Sequence, residues 1–165
     1  MFVSRRAGFA ALYCFAALMT IVSNASALCT EAGDPDDPGV VILRCAGVVI
    51  AAEATAVRSP VLAMSAHPHT IQLDAGAIAI SSDASAPIFT ALTPDAVLWA
   101  REAEWFVVAD SGRTQAAVRR GTITARLRLD GSEKVLRADD AELGALEPKR
   151  TERLSQALQR SKNQP

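Results

Sequence analysis

The chain has 165 residues, 50 % of them hydrophobic and 5 % aromatic, so one domain is expected, with a core built mainly from Ala, Val, Leu and Ile. There are 17 Lys and Arg against 18 Asp and Glu, a formal net charge of -1, which removes any global electrostatic case for nucleic-acid binding. Two His and three Cys are too few for a zinc ribbon or a multi-metal centre.

The first element is an address. Arg5 and Arg6 are the only charges before Glu31, and an apolar stretch from Ala7 to Val22 follows them. Ala25-Ser26-Ala27 then reads as a small-x-small cleavage site, so residues 1–27 are expected to be a signal peptide. The arginines stay on the cytoplasmic side, the apolar run enters the bilayer, and small side chains fit the peptidase. Phe9 sits one place late for a twin-arginine signal, and Leu28 stands before Cys29 where a lipoprotein needs a small residue. The expected location is periplasmic or secreted. The alternative is an uncleaved segment anchored in the inner membrane, although the run is short of the roughly 20 apolar residues of a full span.

Removal of residues 1–27 takes two arginines and no acids, moving the net charge from -1 to -3, and it takes Cys14. Cys29 and Cys45 remain, an even pair in an oxidising compartment, and a disulfide between them is expected. The alternative is two buried thiols. Residues 28–39, with Asp34-Pro35-Asp36-Asp37-Pro38, read as a solvated acidic loop inside that bridge; the spacing is not that of an EF-hand.

From Val40 the chain breaks into short apolar runs: Val40–Leu43, Val48–Ala52, Val61–Met64, Ile71–Leu73, Ala77–Ile80, Ile88–Leu92, Ala96–Trp99, Trp105–Ala109, Thr114–Val118, Thr122–Leu129 and Lys134–Leu136. Turn residues such as Gly47, Asp74-Ala75-Gly76, Thr93-Pro94 and Asp110-Ser111-Gly112 separate them, which predicts an all-β domain over 40–146. In Thr122–Leu129, Ile123, Ala125, Leu127 and Leu129 fall on one face and Arg126 and Arg128 on the other. The phase before Gly121 differs, so a bulge or corner is expected there. Asp130-Gly131 predicts a tight hairpin. Residues 147–165 form a basic tail in which Leu154, Ala157 and Leu158 share one side. The choice there lies between a short docking helix begun near Pro148, a surface-binding patch and a frayed tail.

Several of these strings recur in one family. Ile71 to Ile80 is similar to a strand–glycine–strand unit, and Thr93-Pro94-Asp95-Ala96 to a T-P-x-A entry to a central strand. Trp105 to Val108, Thr114 to Val118, Gly121 to Ala125 and Val135 to Gly144 follow in the matching order. Together Ile71 to Gly144 resembles the FecR-type extracytoplasmic domain. The family's V-R-G-T-E-F string stands here as Ala100-Arg101-Glu102-Ala103-Glu104-Trp105, with Glu102 at the glycine, which predicts ordinary backbone angles at that turn. The resemblance implies a repetitive β-sandwich or β-helix-like domain outside the cytoplasmic membrane. In the family's namesake such a domain relays a signal to a sigma factor through a cytoplasmic N-terminal domain. Only Met1 to Arg6 would lie on that side here, too few residues to hold a sigma factor.

The expected role is therefore non-catalytic binding or scaffolding, with an envelope protein or an anionic cell-surface polymer as partner. The membrane enters only through the N-terminal segment. The alternative is a membrane-anchored signalling regulator of the FecR type. Arg101, Arg126, Arg128, Trp99 and Trp105 are the candidate partner-binding residues, drawn from an arginine-rich second half that also holds Arg113, Arg119, Arg120 and Arg137. No catalytic, cofactor or metal residues are assigned. A two-histidine site at His67 and His69 would need Asp74 or more as further ligands. Ser65 lacks a G-x-S-x-G elbow. Glu102 and Glu104, two apart, are the candidate pair for acid–base work on a sugar.

Overall fold

A computed structural model describes residues 29–58, 62–64, 69–138 and 143–163. The expected signal segment, Ser65 and His67 lie outside the described residues. The elements are β1 (Thr30–Asp34), β2 (Asp37–Cys45), β3 (Val48–Glu53), α1 (Ala54–Arg58), β4 (Leu62–Met64), β5 (Thr70–Leu73), β6 (Gly76–Ser82), β7 (Phe89–Leu92), β8 (Ala96–Ala100), β9 (Glu104–Asp110), β10 (Arg113–Arg120), β11 (Thr122–Leu127), β12 (Glu133–Arg137) and α2 (Pro148–Lys162). The protein is all-β with a short C-terminal helix, and each apolar run from Val40 onward corresponds to one strand, β2 to β12 in order.

The strands form two six-stranded sheets. Sheet A runs β1-β2-β3-β6-β9-β10 and sheet B runs β12-β11-β8-β7-β5-β4. The chain passes repeatedly between them: β4 and β5 interrupt sheet A, as do β7 and β8, and β11 and β12 end in sheet B. The two sheets pack face to face, so the architecture is a sandwich and not a β-helix. Alternation along each strand sends Ile50, Ile78, Ile80, Trp105 and Val107 of sheet A against Ile71, Leu73, Phe89, Leu98, Ile123 and Leu136 of sheet B.

The central strands of sheet A are apolar on both faces because a second layer covers them. In α2, Leu154, Ala157, Leu158 and Ser161 recur at helical spacing and are buried. They pack on the outward Val40, Ile42, Ala51, Ala77, Ala79, Phe106 and Val108. The alanines at the middle of this face give the helix room to lie close. Pro148 starts the helix with its fixed φ, and Arg160 and Lys162 place positive charge in its last turn. The basic tail is thus a docked helix.

Gly121 marks the corner expected of it. Its φ is +84°, and a Cβ there would stand 2.7 Å from the Glu102 carbonyl oxygen. The β9–β10 register shifts between Val118 and Arg120, and the chain then leaves sheet A for sheet B. This brings Ala116 and Val118 in β10, and Ile123 and Ala125 in β11, all toward the core despite their different phase. Two expectations at the far end of β11 are corrected. The strand ends at Leu127, where backbone bonds from Ser132 and Gly131 close the hairpin, so Leu129 is 98 % exposed rather than on the core face. Arg128 lies past the strand end and does not share a strand face with Arg126.

Candidate functional site

The acidic segment of residues 31–39 is not a free loop. It forms β1, a tight turn and the start of β2, with Thr30 opposite Arg44 and Glu31 opposite Leu43. The Cys29–Cys45 disulfide closes the open end of this hairpin. Its carboxylates serve α2. Arg160 reaches the buried Asp34 at 2.6 Å and Asp36 at 3.3 Å, and Arg153 forks onto Asp37, one arm at 2.7 Å. On the neighbouring strand, Arg150 forks onto Glu53 at 2.6 and 2.5 Å. The acidic hairpin and the basic tail, opposite ends of the described chain, are thus each other's counterions.

The Arg153 guanidinium bonded to Asp37 holds that carboxyl near 2, against its ordinary 3.8. A depressed carboxylate contributes stability above its unfolded pKa and loses it as pH falls through the folded value. Stability from this pair should therefore fade between about pH 4 and pH 2. The pair is solvent-facing, so Asp37→Asn is expected to flatten that limb by under about 1 kcal/mol in acid denaturation curves.

Sheet B has the opposite character. Among the described residues no helix lies across its outer face. One cross-strand row there is Thr70, Thr90, Trp99, Thr124 and Val135, and the next is Gln72, Leu92, Val97, Arg126 and Glu133. Trp99 is half-buried, and the Arg126 guanidinium lies over its ring at 5.7 Å from the centroid. Arg126 also pairs with Glu133, with its Nε at 2.8 Å. Val135 is about half exposed. The bare face is therefore a threonine-rich, mixed surface with one indole and one oriented guanidinium at its centre. Arg101 and Arg128 are exposed near its two ends, outside the strands.

The remaining sequence candidates separate. Trp105 is fully buried between the sheets, which corrects its placement among partner-binding residues. Glu102 and Glu104 are placed differently. Glu102 is exposed, whereas Glu104 is buried and accepts from Lys162 at 2.6 Å, Gln159 at 3.2 Å and Arg119 at 3.2 Å. The His69 backbone carbonyl accepts from the Thr90 N–H at 2.8 Å, and Asp74 accepts from Gln72. Among the described residues no three His, Cys, Asp or Glu side chains gather as metal ligands.

Glu102 also corrects the reading of its turn. Its φ is +53°, the left-handed region that glycine favours, so the conformation persists although the glycine is absent. The turn is imposed from either side. Ser82 Oγ accepts the Ala103 N–H at 3.1 Å, and the Ser82 N–H donates to the Ala103 carbonyl at 2.9 Å. Glu102→Gly should relieve this residue and raise stability by about 1 kcal/mol in urea melts.

The T-P-x-A string proves structural. Thr93 Oγ1 takes the Ala96 N–H at 3.1 Å and lies 2.6 Å from Thr114 Oγ1, while Asp95 accepts the Thr114 N–H at 3.1 Å. Residues at the start of β8 in sheet B are thereby tied to β10 in sheet A. Nothing in the sequence relates positions 93–96 to 114, which are joined only in space.

These observations define a class: a two-sheet β-sandwich with one outer face sealed by its own helix and the other without a covering helix among the described residues. No protein-family model matches the chain, and no curated protein matches it. Among solved structures, two crystal structures of a candidate anti-sigma factor from Parabacteroides distasonis, at 1.65 and 2.50 Å resolution, are similar over 74 % of this chain, at 14 % identity. The TM-scores are 0.41 and 0.40, and this chain covers 57 % of that protein's length. At this level the likeness carries neither fold nor role across to this chain.

Proposed function

We propose that this protein is a non-catalytic, extracytoplasmic binding or scaffolding module of the FecR type that contacts an envelope protein or an anionic cell-surface polymer through the bare face of sheet B. The observation that carries the reading is the asymmetry of the sandwich. The chain spends its own helix on sheet A and, among the described residues, leaves Trp99, Arg126 and the threonine rows of sheet B without a covering helix. Trp and Arg on an open face are the residues that most often anchor a partner, and a guanidinium already stacked and paired is pre-oriented. The Cys29–Cys45 bridge supports folding in an oxidising compartment.

Photo-crosslinkers placed in intact cells at Thr124, on sheet B, and at Gln156, on the solvent side of α2, test this. Capture from Thr124 that is lost on Trp99→Ala is the expected result. Capture from Gln156 alone, or capture from Thr124 that Trp99→Ala leaves intact, overturns the assignment of the face. The intact mass of the exported protein should begin at Leu28. A retained Met1 would replace the soluble module by a membrane-anchored regulator.

A further inference from the structure

We propose that the cleft at the C-terminal end of α2 is an anion site that takes a phosphate group. It lies on sheet A, opposite the face discussed above, and does not rest on that reading. The cleft measures about 460 Å³. A single cross-strand row runs beneath it, in which Arg44 of β2 stands opposite Val49, Val49 opposite Ser81, Ser81 opposite Glu104, and Glu104 opposite Arg120; all but the buried Glu104 line the cleft. All of these positions face outward, because Leu43, Ile50, Ile80 and Trp105 beside them face the core. The row begins and ends on arginine, four strand spacings or about 19 Å apart, a span that two long side chains narrow from both sides. Lys162 closes the cleft from the helix.

The charges do not balance. Arg44, Arg120 and Lys162 line the cleft with a single acid, Asp83, an excess of two positive charges. Glu104 is shared by Lys162 and Arg119. Asp83 is taken by the Ser85 hydroxyl and the Ser85 and Ala86 amides. The Arg44 contact within the protein is one bond to the Ser161 carbonyl at 2.5 Å, which leaves most of a five-donor fork unused. Arg120 is exposed and has no acceptor among the described residues. Two guanidiniums, an ammonium and the Ser81 hydroxyl around an excess of two charges suit a dianionic phosphate better than a single carboxylate.

Titration of the folded, oxidised protein with inorganic phosphate at fixed ionic strength, followed by amide chemical shifts, tests the site. Saturable shifts at Val49, Ser81 and Arg120 are expected. Acetate should bind more weakly by about tenfold. Arg120→Gln should weaken phosphate by about tenfold or more without moving the melting curve, since Arg120 supports no other group. Arg44→Gln should weaken phosphate by a similar factor, with a lowered melting curve because it also releases the Ser161 carbonyl. Binding to phosphatidylglycerol vesicles, with free phosphate bound weakly but at the same amides, would identify a lipid headgroup as the source. Shifts that track chloride equally, or that survive Arg120→Gln, overturn the proposal.

Discussion

Leu158→Ala is expected to destabilise the protein by about 2–5 kcal/mol. Leu158 is fully buried, although it lies on a helix at the end of the chain. A 15-residue helix is marginal by itself in water, so α2 persists because its apolar side is inserted into sheet A. Truncation removes the buried methyl groups and leaves a void over Ala51 and Ala79, which are too small to fill it. The ion pairs from Arg150, Arg153 and Arg160 do not substitute for this contact: the more open Arg153–Asp37 pair contributes about 0–1 kcal/mol, and the more buried carboxylates of Asp34 and Glu53 lose to desolvation much of what their attraction to Arg160 and Arg150 gains. Urea melts supply the free energy. Hydrogen exchange adds the location: amides of α2 should lose protection before those of β6 and β9. A loss under about 1 kcal/mol, or uniform exchange, would mean that the helix does not seal the sheet. High salt on the wild type is the control, and it should leave the helix docked.

Removing the disulfide, by Cys29→Ser with Cys45→Ser, is expected to lower stability by about 3 kcal/mol on the chain-entropy view. The bridge spans 16 positions and joins the residue before β1 to the last residue of β2. Its local effect should be uneven. β1 is the edge strand of sheet A, and Thr30 to Gly33 are exposed, so few apolar contacts hold its near end. At the far end, Asp34 remains tied to Arg160 and buried. The bridged end should therefore fray first, seen as loss of amide protection at Glu31 and Ala32 while the sandwich core stays cooperative. Equal melting curves for the oxidised protein and the double serine variant would contradict this account.

Much of the sandwich was legible along the chain, because the information is local. Short apolar runs separated by turn residues mark β2 to β12, and the phase change around Gly121 marks the corner. β1 was hidden because Thr30-Glu-Ala-Gly-Asp34 has no apolar alternation; an edge strand with both faces wet leaves none. The left-handed backbone at Glu102 was hidden because the bonds of Ser82 impose it, whatever residue occupies the turn.

By itself the chain's order of residues determined the strand content, the pairing of Cys29 with Cys45 and the amphipathic tail, since each follows from periodicity or from the scarcity of a residue type. Only the tertiary structure decided where charges and faces meet. It set the basic tail on the acidic hairpin, buried Trp105 while leaving Trp99 near the surface, and lined up Arg44, Ser81, Glu104 and Arg120 in one row. Those residues lie on strands that are neighbours in space and distant in the chain. Register between such strands is set by the burial of whole faces at once, a condition no local stretch of sequence expresses.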